Sequence, residues 1–179
     1  LILIGTSGFK YWGWKGIFYP PDLPTSRWLE HYSKYFNAVE INSTFYRLPV
    51  KSSFRNYIKH APDIKYVLKL YRGITHFHSL KEENFSPFFE AMEILGDAFY
   101  GILAQFPSKF AFNEKNCSIV ETIIEKFKGV NLSFELRSPT WEGNLDIFKN
   151  SDISVCCADF PESFNWCRDC FNSSRLAYY

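Results

Sequence analysis

Two glutamates sit at the ends of short apolar runs, Glu40 in Ala38–Ile41 and Glu135 in Leu132–Leu136. Paired carboxylates suit general acid–base chemistry, in which one group gives a proton and the other takes one. They also suit glycosidic cleavage, where their separation sets the stereochemical outcome. Other polar groups recur at equivalent places: Thr6 and Ser7, Asn42, Lys69, Gln105, Arg137 and Asp159. From Glu40 onward they fall at intervals of roughly 24 to 36 residues, close to the size of one βα unit. Alternation along a strand puts Glu40 with Asn42, and Ser133 and Glu135 with Arg137, on single faces. Arg137 offers a planar fork for a carboxylate or phosphate. Lys69 offers an anion clamp, with a Schiff-base nucleophile as the lesser use. Asn42 and Gln105 can orient a hydroxylated ligand, and Tyr46, beside Phe45 and Arg47, can stack on a ring. The expected catalytic residues are therefore Glu40 and Glu135. The expected substrate-binding residues are Asn42, Tyr46, Lys69, His76, Gln105, Arg137 and Asp159. The alternative is an ion-pair network that neutralises itself.

No cofactor is expected. The chain has no HExxH, DxDxDG or His-x-His pattern, and Gly5-Thr6-Ser7-Gly8 lacks the GxxxxGK[ST] spacing. There is no GxSxG elbow for a nucleophilic serine. A divalent metal, Mg²⁺ or Mn²⁺, held by Glu40, Glu135, Asp159 and His76, is the alternative to a metal-free site. Cys167 and Cys170 have the spacing of half a zinc site with no second pair, so a local disulfide or two free thiols is expected there.

These groups need a frame, and the sequence supplies alternating strand-like and helix-like stretches. Strands are expected at Leu1–Ile4, Ala38–Ile41, Lys65–Tyr71, Tyr100–Phe106, Leu132–Leu136, Ile153–Ala158 and Arg175–Tyr179. Helices are expected at Ser26–Phe36 with Ser26 as cap, Ser53–His60, Pro87–Leu95, Ser118–Phe127 and Leu145–Lys149. Phe160–Ser174 reads as loop. The strands do not alternate strictly with polar residues, as expected of a parallel sheet covered on both faces. In a parallel barrel the C-terminal strand ends converge on one face.

The chain has 179 residues, 20% of them aromatic, with 20 basic against 19 acidic side chains. That composition excludes intrinsic disorder and argues against a large nucleic-acid-wrapping surface. No apolar run reaches membrane-spanning length. The N-terminal run lacks a basic flank and a cleavage site, so the cytoplasm is the default expectation. The five cysteines, an odd number, do not form a secreted disulfide framework.

Several stretches match a known pattern in order: Ile4–Gly8, Trp14–Pro20, Val39–Pro49, Lys69, Ile74–His76, Leu103–Pro107, Phe134–Arg137 with Trp141, and Ala158-Asp159. On these residues the sequence resembles the domain of unknown function 72 family, YecE/YunF-like proteins. The resemblance implies a TIM-type (β/α) barrel, with this sequence covering a single barrel domain over residues 1–179. That is the first six to seven βα units, with closing elements expected outside these residues; the alternative is a barrel that is open or completed by a partner. A complete barrel typically needs about 200–250 residues. The family's activity is not established, so the resemblance settles fold better than function. The function expected first is that of an enzyme, hydrolase- or lyase-like, acting by acid/base chemistry on a small hydroxylated or anionic substrate. The rivals are a metal-assisted phosphodiester-processing barrel on nucleic acid and a non-catalytic ligand-binding or scaffold module. The expected partner is a small molecule and not a membrane; the oligomeric state is not legible.

Overall fold

The computed structural model describes residues 2–149, 153–156, 158–159, 161, 163–164, 166–172 and 178. In chain order its helices and strands are α1 (Trp28–Tyr32), β1 (Ala38–Ile41), α2 (Ser43–Tyr46), α3 (Lys51–His60), β2 (Lys65–Lys69), α4 (Arg72–Thr75), α5 (Glu82–Leu95), β3 (Phe99–Phe106), α6 (Glu114–Lys126), β4 (Leu132–Leu136), β5 (Ile153–Val155) and β6 (Phe171–Asn172). The fold is α/β with five strands in parallel pairings. β1 pairs β2, while β3 pairs β4 and β4 pairs β5. β6 lies antiparallel to β5. A closed barrel is not seen among the described residues. The chain divides into two compact units, Leu1–Lys69 with Ser86–Tyr100, and Leu70–Phe85 with Gly101–Tyr179. Among the described residues no helix is long and apolar enough to cross a membrane.

In the first unit, β1 is buried along its whole length. The register Glu40↔Val67 and Ile41↔Leu68 puts Val39, Ile41, Tyr66 and Leu68 on one face. The expected first strand runs beside β1 and is too irregular to form a ladder. Ala38 N–H donates to Ile4 O, Glu40 N–H to Thr6 O and Gly8 N–H to Glu40 O, with one bridge at Ser7↔Glu40. Gly5 permits this approach, because a Cβ there would lie 2.2 Å from Ala38 O. Tyr32, fully buried, fastens the same segment: its hydroxyl accepts from Thr6 N–H at 2.8 Å and donates to Ala38 O at 2.9 Å. Tyr32→Phe strands both backbone groups. It is expected to cost about 1–3 kcal/mol, read as a fall in the urea midpoint at unchanged slope.

In the second unit, β4 is buried throughout, and its register with its neighbours sorts side chains by face. Ala104, Phe106, Phe134 and Val155 belong to a core that includes Phe148 and Trp141, the latter two fully buried. Ser133, Ser154, Gln105 and Glu135 take the other parity, and the two serine hydroxyls meet at 2.5 Å.

Several expected boundaries move. Ser26–Phe36 becomes a 3₁₀ turn at Thr25–Arg27 followed by α1, with no side-chain cap from Ser26. Phe36 leaves the helix to stack on Tyr32, ring centres 4.7 Å apart. α5 begins at Glu82 rather than Pro87, since burial of Phe85 and Phe88 extends the apolar face back across the proline. α6 begins at Glu114 because Asn113 caps it, accepting from Asn116 N–H. Leu145–Lys149 is a 3₁₀ turn at Asp146–Phe148. β2 stops at Lys69, where Tyr71 introduces α4, and β5 stops at Val155. β6 occupies part of the stretch read as loop. The strand expected at 175–179 falls outside the described residues except for Tyr178. The expectation for Cys167 and Cys170, a local disulfide or two free thiols, is also corrected. Cys167 is a buried free thiol, pushed by burial to a pKa of about 11, whereas Cys170 is disulfide-bonded.

Candidate functional site

The C-terminal end of β1 delivers Glu40, 9% exposed, to the wall of a cavity of about 360 Å³ within the first unit. Ser7 donates its hydroxyl proton to Glu40 Oε1 at 2.6 Å, and Asn42 Nδ2 donates to Ser7 Oγ at 2.7 Å. Ser7 has one proton, so accepting from Asn42 directs that proton onto the carboxylate. Asn42 also heads α2, yet its side chain makes no cap bond; its amide is committed to Ser7 instead. Lys69 Nζ lies 4.0 Å from Glu40 Oε1 and 5.3 Å from the centre of the Phe45 ring. The buried Thr44 hydroxyl lies within hydrogen-bond distance of Ile41 O and Lys69 O, pinning α2 to the ends of both strands. Tyr46, 64% exposed, also lines the cavity. The structure therefore brings together Glu40, Asn42, Tyr46 and, through its ion pair, Lys69.

The second unit holds a cluster of its own residues. Gln105 and Glu135 are register partners on β3 and β4, and both are buried. Arg137 Nε donates to Glu135 Oε1 at 2.6 Å, while its guanidinium lies over the Trp166 ring, 4.4 Å from the centre. Trp166 stacks in turn on Phe164. Its segment is tied down where Asp169 accepts from Gly143 N–H and Glu142 accepts from Arg168 N–H. His76 follows α4, with Nδ1 2.9 Å from the Thr75 hydroxyl. Asp159 is exposed beyond β5. Among the described residues no group of three or more His, Cys, Asp or Glu side chains could hold a metal ion. The set Glu40, Glu135, Asp159 and His76 is therefore not gathered into a metal centre.

Sequence reasoning missed Lys10 and Tyr57, which line the Glu40 cavity with Arg47. Tyr57 falls on the face of α3 that reads as core, and the only sequence signal for a second role was its hydroxyl. It also missed Trp166 and His78. His78 has φ 55°, its ring faces Phe110 at 5.4 Å, and its buried Nε2 has no hydrogen-bond partner among the described residues. Burial, and after it the Lys115 charge, hold the His78 imidazole below its usual pKa. The unfolded chain therefore takes up this proton first, and the associated stability, present above about pH 6.5, is lost as pH falls through the folded value. The melting temperature is expected to drop from pH 7.5 to pH 5 less steeply in His78→Asn than in the parent, and an identical drop would contradict this assignment.

The family model described as "Protein of unknown function DUF72" matches residues 3–177. The UPF0759 protein YunF of Bacillus subtilis (strain 168) is 25% identical over 150 residues, 79% of this chain and 52% of that protein. A solved DUF72 family protein of Thermotoga maritima MSB8 superposes with a TM-score of 0.77 at 31% identity, over 89% of this chain and 65% of that one. One from Enterococcus faecalis V583 gives 0.76 at 22% identity, over 90% of this chain and 62% of that one. The chain thus spans about half the length of its curated relative and under two thirds of these solved ones.

Proposed function

The chain belongs to the DUF72 family, and from that premise we propose that it is an enzyme using Glu40 as the proton carrier on a small polar substrate held in the adjoining cavity. The observation that carries this reading is the chain of donors Asn42, Ser7, Glu40 on the cavity wall. A carboxylate fixed by one hydroxyl bond and flanked by an ammonium is oriented before substrate arrives, and orientation is a large part of acid–base catalysis. The cavity volume falls within the range of small-molecule sites, about 300–1,000 Å³. A hydroxylated substrate would present its reacting O–H or C–H to Glu40, with Asn42 and Tyr46 ordering its remaining groups. Hydrolase- or lyase-like proton transfer fits this donor set, and no cofactor enters the reading. The finer fold assignment, a (β/α) barrel, is part of the same proposal; its support is parallel strands joined by helices, with polar side chains at their C-terminal ends.

The test is product formation by the purified protein from a panel of sugars, sugar phosphates and hydroxy acids, followed by NMR. Turnover of one chemical class is the expected result. Ligand binding without product under any condition would replace the enzyme reading with a non-catalytic binding module.

A further inference from the structure

The two cations expected to clamp an anion are already engaged. Lys69 faces Glu40 and the Phe45 ring, and Arg137 is bonded to Glu135 beneath Trp166. The Glu40 cavity has other positive charge. Arg47 and Lys10 both line it, and among the described residues neither is in an ion pair. Glu40 is the one acid among the described lining residues, and Lys69 Nζ lies 4.0 Å from it. Among the described residues the cavity therefore carries two cations outside any salt bridge beside an oriented carboxylate. Aromatic walls border them: Phe9 meets Tyr57 edge to face at 5.9 Å, and Lys10 Nζ lies 5.6 Å from the Phe9 ring centre.

We propose that the cavity's ligand is a phosphomonoester of a small hydroxylated molecule, with its phosphoryl group on Arg47 and Lys10 and a hydroxyl or carbon acid toward Glu40. The proposal rests on the reading of this cavity as the substrate site. A phosphoryl dianion matches two cations better than a monoanionic carboxylate does, and the guanidinium fork suits its oxygens.

The test uses inorganic phosphate as probe, titrated calorimetrically at fixed ionic strength, with acetate and sulfate as comparisons. Phosphate is expected to bind at one site, more tightly than acetate. Arg47→Met and Lys10→Met should each weaken it about tenfold, the usual worth of one charge-assisted bond. Both residues are exposed, so the melting temperatures of the ligand-free variants should match the parent. Lys59→Met, on the exposed side of α3, should leave binding unchanged. Acetate binding as tightly as phosphate would overturn the phosphoryl assignment in favour of a carboxylate. No saturable phosphate binding, or equal affinity in Arg47→Met, would overturn the anion seat itself. The two proposals fail separately. Phosphate binding without turnover of any substrate leaves the seat standing and removes the enzyme, whereas turnover indifferent to Arg47 and Lys10 does the reverse.

Discussion

Glu40→Gln is expected to abolish turnover while the protein still folds. Glutamine keeps the shape of the side chain, and its Oε1 still accepts the Ser7 hydroxyl, so the chain of bonds from Asn42 survives. What disappears is the capacity to take or give a proton, a contribution of about 10²–10⁴ in rate. The stability cost is limited. Removing one partner of a tight buried pair costs about 3–5 kcal/mol, but Lys69 sits 4.0 Å away, at the edge of contact, and keeps the Phe45 ring beside it. A smaller loss leaves a domain of ordinary stability, about 5–15 kcal/mol, folded. The measurement pairs kcat with the melting curve. Near-normal kcat in a folded Glu40→Gln protein would remove Glu40 from the chemistry.

The largest effect on stability is expected at Trp141. Its ring is fully buried in the second unit, nearly parallel to Phe110 at 5.9 Å and edge-on to Phe112 at 5.2 Å. Its indole N–H donates to Phe110 O at 2.8 Å. Trp141→Ala removes the packing, worth about 3–5 kcal/mol for a buried large aromatic. It also strands a carbonyl, at about 1–3 kcal/mol. The sum is comparable to the whole stability of a domain. The turn bearing Trp141 follows directly on β4 and Arg137, so the Glu135–Arg137 pair should loosen with it. Equilibrium urea unfolding reads the result: a loss of several kcal/mol or absence of a folded baseline is expected. Trp141→Phe should recover much of the packing without the hydrogen bond. A loss below about 1 kcal/mol in Trp141→Ala would mean that the core does not depend on this ring.

β1 and β4 could be read to the residue from sequence because each is an apolar run closed by turn signals. Strand parity put Glu40 with Asn42, and Glu135 with Arg137, on shared faces, and the hydrogen bonds within each cluster follow that parity. Helix starts were harder. Pro87 looks like a first-turn residue until the burial of Phe85 is known, and Asn113 looks like loop until its bond to Asn116 is seen. The partners hidden from sequence are those brought together over long separations: Ser7 on Glu40, Trp166 over Arg137, Lys10 and Arg47 on the lining of one cavity. Nothing local in the sequence distinguishes His78, whose backbone is left-handed at φ 55°.

The central claim is that the Glu40 cavity is where this protein meets its ligand, and a melting-temperature screen tests it most directly. The panel is sugars, sugar phosphates, nucleotides and divalent metals with chelator controls, run on the parent and on Asn42→Ala. A ligand at 100 times its Kd adds about 2.7 kcal/mol of stability, which is readily seen. The account predicts a shift with a phosphorylated hydroxylated compound that shrinks or vanishes in Asn42→Ala. A shift of equal size in both proteins would place the ligand elsewhere and contradict it.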